Sequence, residues 1–105
     1  MGTVSIDLQE RQSVRVTVGD VLEIRLVEQF GGGYIWSRTG QLPPGISETG
    51  ERREHQGDRV GAAAMKIFQF SCDAEFTAEL QFSLARPWMP DQVEQIRTVS
   101  IVCVK

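Results

Sequence analysis

One histidine, His55, and two cysteines, Cys72 and Cys103, are all that the chain offers of imidazole and thiol side chains. A zinc site of the usual kind needs three or four Cys, His or carboxylate ligands at close spacing, and no stretch of the sequence has it. Acid–base catalysis near neutral pH draws chiefly on histidine. His55 lies in the polar run Arg52-Arg53-Glu54-His55-Gln56, which reads as solvent-exposed, with nothing to orient the ring. This inventory argues against an enzyme and calls for no cofactor and no metal. Long apolar runs are missing too: none approaches the ~20 residues that span a bilayer. Basic charge is in deficit, with 11 Lys and Arg against 14 Asp and Glu, a formal net charge of -3. The electrostatic footprint of a nucleic-acid binder is therefore absent. The first ten residues lack the basic-then-apolar order of a secretory signal. Localisation stays open between the cytoplasm and a mature exported form.

A sustained 3.6-residue period is also lacking, and the period that dominates is two. Val14, Val16 and Val18 alternate with Arg15 and Thr17, and after Gly19-Asp20, Leu22, Ile24 and Leu26 alternate with Glu23 and Arg25. Two such runs about a Gly-Asp pair predict a hairpin. Pro43-Pro44-Gly45 marks a turn, with a strand starting near Ile46. Phe68, Phe70 and Cys72 then share one face, and after Asp73-Ala74-Glu75, Ala78, Leu80, Phe82 and Leu84 share another. Arg86 to Asp91 carries two prolines and reads as an interruption, because proline cannot continue a central strand. Val99, Ile101 and Cys103 close the pattern. Six or seven strands without crossover helices predict an all-β, immunoglobulin-like antiparallel sandwich, each sheet with one dry and one wet face. With 105 residues, 41% hydrophobic and 24% charged, residues 1–105 make a single domain. Cys72 and Cys103, in apolar strand contexts, read as small buried hydrophobes. A disulfide would need an oxidising compartment, and a catalytic thiol would need His55 as its base.

The strands explain themselves as core, with Trp36 among them, but three connections do not. They are Gln29-Phe30-Gly31-Gly32-Gly33-Tyr34, the segment from Gly57 to Ala64 with Val60-Gly61-Ala62-Ala63-Ala64 at its end, and Arg86-Pro87-Trp88-Met89-Pro90. Alternate connections of a sandwich emerge at the same end. A glycine tip, an alanine tip and an Arg-Pro-Trp tip side by side would form a narrow wedge. Trp and Arg are the side chains most often found as binding anchors, and loops on a rigid scaffold are where binding resides.

In order and spacing these segments resemble the chagasin family, proteinaceous inhibitors of papain-like cysteine peptidases. Val16-Thr17-Val18-Gly19-Asp20-Val21-Leu22-Glu23-Ile24 is similar to the family's paired early strands. Gly33-Tyr34-Ile35-Trp36 is similar to the end of its first-loop motif, Asn-Pro-Thr-Thr-Gly-aromatic-x-Trp. Gly61-Ala62-Ala63-Ala64 falls where a Gly-x-Gly-Gly loop belongs, and Arg86-Pro87-Trp88 matches the Arg-Pro-Trp motif outright. The departures fall on the contact surface: Gln29 and Phe30 replace Asn and Pro, Gly31 and Gly32 replace both threonines, and Ala63 and Ala64 replace the later glycines. The resemblance implies reversible, tight-binding inhibition by occlusion of the peptidase cleft, with Gln29 to Tyr34 over the catalytic Cys–His pair. Val60 to Ala64 on one side and Arg86-Pro87-Trp88 on the other would complete the contact. It implies a papain-like peptidase as partner, no membrane insertion, and a monomer when free. Two other readings stand beside it: an immunoglobulin-like adhesion or assembly module that has lost inhibition, and a small enzyme relying on Asp58, Arg59 and Arg86.

Overall fold

Alternating apolar and polar residues do form strands along most of the chain. The structure is a computed structural model and describes residues 2–28, 32–55 and 64–105. Among these the strands are β1 (Thr3–Asp7), β2 (Arg11–Thr17), β3 (Val21–Glu28), β4 (Ile35–Thr39), β5 (Ile46–His55), β6 (Ala64–Cys72), β7 (Phe76–Arg86) and β8 (Met89–Val104). They build two four-stranded sheets, ordered β1-β3-β6-β5 and β2-β8-β7-β4. The expected sandwich is what the chain adopts. It has one strand more than the upper expectation, because the first ten residues supply β1.

The dry faces meet in one core. Leu22, Ile24 and Leu26 of β3 and Phe68, Phe70 and Cys72 of β6 face Trp36, Leu80, Phe82, Val99, Ile101 and Cys103 of the opposite sheet. Phe68 and Phe82 join the two layers, their ring centroids 4.9 Å apart and tilted at 45°, a geometry that adds to area burial. The wet face of the first sheet hides apolar residues too, Met65 and Ile67 of β6. Ile67 of β6 is fully buried although it points away from the core. Its register partners are Arg25 on β3 and Arg52 on β5. Arg52 reaches across β6 to Glu23 at 2.9 Å and Arg25 pairs with Asp7 at 3.0 Å, so arginine stems lie over the aliphatic side chain. The hydrogen bond from Arg52 holds the Glu23 carboxyl below its ordinary range.

Two expectations are corrected by the ladders. The runs about Gly19-Asp20 do not form a hairpin: β2 pairs in parallel with β8, while β3 pairs with β1 and β6. The turn instead carries the chain between layers. Val18 still donates to the Val104 carbonyl, whereas the next residue, Gly19 at φ 98°, donates to Cys72 in the other sheet. Asp20 Oδ2 closes the turn by accepting from the Thr17 amide at 2.9 Å. The second correction concerns Arg86 to Asp91. Only Pro87 and Trp88 lie outside strands, and Met89 and Pro90 begin β8. Register skips from Arg86↔Met89 to Ala85↔Val93, so Pro90 has no cross-strand partner on β7 to disappoint. β2 joins the other side of β8 only from Thr98 onward, which leaves Pro90 in an edge position of the kind proline tolerates. Two of the pairings, β1 with β3 and β2 with β8, are parallel; the others are antiparallel, as expected.

Cys72 and Cys103 are free thiols, buried in the core. Burial, with the neighbouring Cys103 adding to it, pushes the Cys72 thiol up to about 11, and burial raises Cys103 as well. Neither is a poised nucleophile. Because the folded values lie above the ordinary 9.0, the folded state holds these protons longer than the unfolded chain. The stability this contributes is complete below that ordinary value and is lost as pH rises through the folded one. Ellman titration at pH 8 is expected to find no fast thiol in the native protein and both after unfolding. The urea midpoint should fall between pH 9 and pH 11, and less steeply in a Cys72→Ala/Cys103→Ala variant. Equal slopes in the two proteins would show that the thiols carry none of the alkaline loss.

Candidate functional site

The strands that flank the three singled-out connections end together. In one sheet Glu28, Ala64 and His55 lie in a single register row, where β3 and β5 end and β6 begins. In the other, Ile35 at the start of β4 pairs with Ala85 near the end of β7, and Arg86 pairs with Met89 at the start of β8. All three connections therefore leave from one pole of the sandwich.

Glu28 forms the floor of that pole. It continues the inward row Leu22, Ile24, Leu26 and is 2% exposed. Both of its oxygens are occupied: Oε2 accepts from the backbone amide of Trp36 at 3.0 Å, and Oε1 lies 2.6 Å from Nε of Arg53. Trp36, also 2% exposed, donates its indole Nε1–H to the Val27 carbonyl at 2.8 Å. The guanidinium of Arg97 stands 5.0 Å over the Trp36 ring and donates to the Leu8 carbonyl. Glu28 and Trp36 are the two roots of the first connection and belong to opposite sheets, so these bonds clamp its ends together. Trp36 is core, as expected. Arg53 is solvent-exposed, as the polar run suggests, and its Nε reaches inward to serve the buried carboxylate. The readable sign was parity: Glu28 falls on the apolar face of its strand, and a buried charge needs a partner.

Above this floor the first and third connections touch. Nε of Arg86 donates to the Gly32 carbonyl at 2.6 Å, and the same guanidinium stacks 4.6 Å over the ring of Tyr34. Gly32 and Gly33 have φ of 72° and 78°, left-handed values that favour glycine. Space makes the same demand. A Cβ on Gly33 would collide with Cη2 of the Trp88 indole, and one on Gly32 would lie 3.2 Å from the Tyr34 ring and 3.3 Å from Nη2 of Arg86. Trp88 remains 66% exposed, so one part of its indole rests over Gly33 while the rest faces outward.

Of the sequence-derived site residues, Gly32, Gly33, Tyr34, Arg86 and Trp88 come together here, and Pro87 sits between the last two as an exposed turn residue. Ala64 is 1% exposed, at the start of β6, and so roots the second connection rather than forming its surface. Gln29, Phe30, Gly31, Val60, Gly61, Ala62 and Ala63 lie outside the described residues, as do Asp58 and Arg59. Among the described residues no cluster of three His, Cys, Asp or Glu side chains is arranged to hold a metal.

The profile of the Chagasin family peptidase inhibitor I42 matches residues 15–102. The chain belongs to the chagasin family. That family is one of inhibitors rather than enzymes. The chagasin fold is equally plain among solved structures. The crystal structure of the cysteine protease inhibitor EhICP2 from Entamoeba histolytica is similar at a TM-score of 0.82 and 17% identity, over 97% of this chain and 96% of that one. PbICP-C, solved in complex with falcipain-2, is similar at a TM-score of 0.67 and 16% identity, over 100% of both chains. Amebosin in solution is similar at 0.64 and 17%, over 99% of this chain and 97% of that one. No curated protein matches significantly.

Removing the Glu28 carboxylate strips the Trp36 amide and Arg53 of a partner. Glu28→Ala is expected to lower stability by about 2–3 kcal/mol, the scale of an unsatisfied buried group plus a lost charge-assisted bond. Arg53→Ala should cost a similar amount, and the double variant less than the sum. Urea unfolding measures all three, and strict additivity would mean that the two side chains stabilise the pole independently.

Proposed function

We propose that this chain is a reversible, tight-binding inhibitor of papain-like cysteine peptidases, monomeric when free, that blocks the active-site cleft with the three connections at its loop pole. The observation that carries the reading is the contact of the first and third connections: Gly32 and Gly33 are held against Arg86 and Trp88, in a chagasin-family chain. The complex of the similar protein PbICP-C with falcipain-2 supports the kind of partner.

Inhibition in this reading is steric. Gly31-Gly32-Gly33 lies against the catalytic thiol and brings only backbone near it. No scissile bond is offered in a substrate-like geometry, so the inhibitor is not consumed. The exposed part of Trp88 buries against one wall of the cleft, with Pro87 limiting the turn to few conformations before binding. The second connection, Val60 to Ala63, lies along the opposite wall through main-chain hydrogen bonds, with Gln29, Phe30 and Tyr34 flanking the tip.

A second reading, a non-inhibitory binding module on the same sandwich, is favoured by one feature. The first connection carries Gln29, Phe30, Gly31 and Gly32 where the resemblance implies Asn, Pro and two threonines. Titration of papain with the purified protein separates the two. The inhibitor reading expects stoichiometric loss of activity that returns on dilution; full activity at excess protein supports the other. Trp88→Ala should weaken inhibition by more than ~1 kcal/mol, roughly fivefold or greater, as truncation of an aromatic anchor does. An unchanged inhibition constant would remove Trp88 from the contact surface.

A further inference from the structure

We infer that Arg86 and Trp88 are positioning residues for the glycine tip: the Arg86–Gly32 bond and the indole over Gly33 fix the conformation in which the first connection meets a peptidase. The binding part of this inference rests on the inhibitor reading above; the part about the free protein does not.

Three successive glycines have more backbone freedom than any other tripeptide, and binding through them would ordinarily require ordering them first. In this structure the order is supplied from the neighbouring turn. The single N–H on Nε of Arg86 is committed to the Gly32 carbonyl, and one face of the guanidinium is committed to Tyr34. The cation therefore points along the wedge, toward the first connection, rather than standing free as an anchor. Trp88 fills the space that any side chain at residue 33 would need. The positive φ of Gly32 and Gly33 and the walls made by Tyr34, Arg86 and Trp88 select the same conformation by independent means. Pro87 joins the two walls and restricts the turn that carries them. Lysine cannot reproduce this arrangement, since its ammonium lacks the planar fork that bonds at an edge while stacking on a ring.

A tip populated mostly in its binding-competent shape associates faster than one that must find it, because apparent affinity scales with the competent fraction. The test joins a measurement on the free protein to one on the complex. In 15N-labelled free protein, the heteronuclear NOE at the Gly32 and Gly33 amides is expected to match that of the strands. In Arg86→Lys and in Trp88→Ala it should drop toward values of a flexible linker while β3 and β7 stay unchanged. With papain, Arg86→Lys should slow association about tenfold with a smaller change in dissociation. Gly33→Ala should slow association in the parent and do so less in the Trp88→Ala background, where the collision is gone. Equal NOE values at both glycines in parent and Arg86→Lys would overturn the inference. So would a loss confined to the dissociation rate, which marks direct contact, or an equal effect of Gly33→Ala in both backgrounds. If the parent fails to inhibit papain at all, the inhibitor reading falls, and the NOE comparison alone decides whether the turn orders the tip.

Discussion

The loop pole depends on one buried carboxylate. Hydrophobic burial drives the two sheets together but is indifferent to direction; Glu28 is not. Its oxygens have to be occupied once water is excluded, and they are occupied by Arg53 from its own sheet and the Trp36 amide from the facing one. The carboxylate thus ties the layers at the place where the first connection begins and ends. An aliphatic residue at 28 would extend the greasy row begun by Leu22, Ile24 and Leu26, yet it would leave the roots of the connection free to slide relative to each other. Trp36 adds a second tie through its indole N–H to Val27, and Arg97 covers the outer part of that ring.

On this floor stands a tip with almost no side chains of its own. Loss of threonine and proline positions from the first connection removes stiffness that the resemblance to other chagasin-family chains implies. The third connection supplies a substitute: a cation at the Gly32 carbonyl and an indole over Gly33. A short two-residue turn is well suited to this, because its flanking strands pair directly, Arg86 with Met89. Contacts run without a break from the β7–β8 ladder, through the turn, to Gly32 and Gly33. In the proposed mode of inhibition, a peptidase meets a tip ordered during folding, which is the general route by which pre-organisation raises affinity.

Most of the architecture could be read from alternation alone. The inward rows of β3, β6, β7 and β8 fall where Leu22, Phe68, Leu80 and Val99 announce them, and Arg86-Pro87-Trp88 marked the third connection. What alternation cannot show is which strand lies beside which. Val14 to Leu26 has the same pattern whether Gly19-Asp20 turns back within a sheet or steps across to the other, and the choice is made by distant partners, Val104 and Cys72. The extent of β8 was hidden for a related reason. Pro90 opposes no residue of β7, so a residue that reads as a breaker sits in a strand at no cost to the ladder. The contact between Arg86 and Gly32 was readable only as proximity of two loops. Its chemistry, a guanidinium shared between a carbonyl and a phenol ring, depends on the pairing of β7 beside β4 and has no signature in spacing. The clamp at Glu28 could have been suspected from parity, but Arg53 as its partner required the register of β5.

The parallel ladder between β2 and β8 has a consequence for how the molecule comes into being. Arg11 is matched with Thr98 and Thr17 with Val104, so β2 is made before its neighbour β8, with β3 to β7 in between. Until β8 is made the apolar row of β2 lacks its edge-to-edge mate, and the sheet that carries the Arg-Pro-Trp turn lacks one border. Loops of such length are slow to close, and half-made chains with unmatched strands are prone to stick to one another. The nascent polypeptide is accordingly most vulnerable in the interval before β8 emerges, when Val16 is still in water and the second sheet is incomplete.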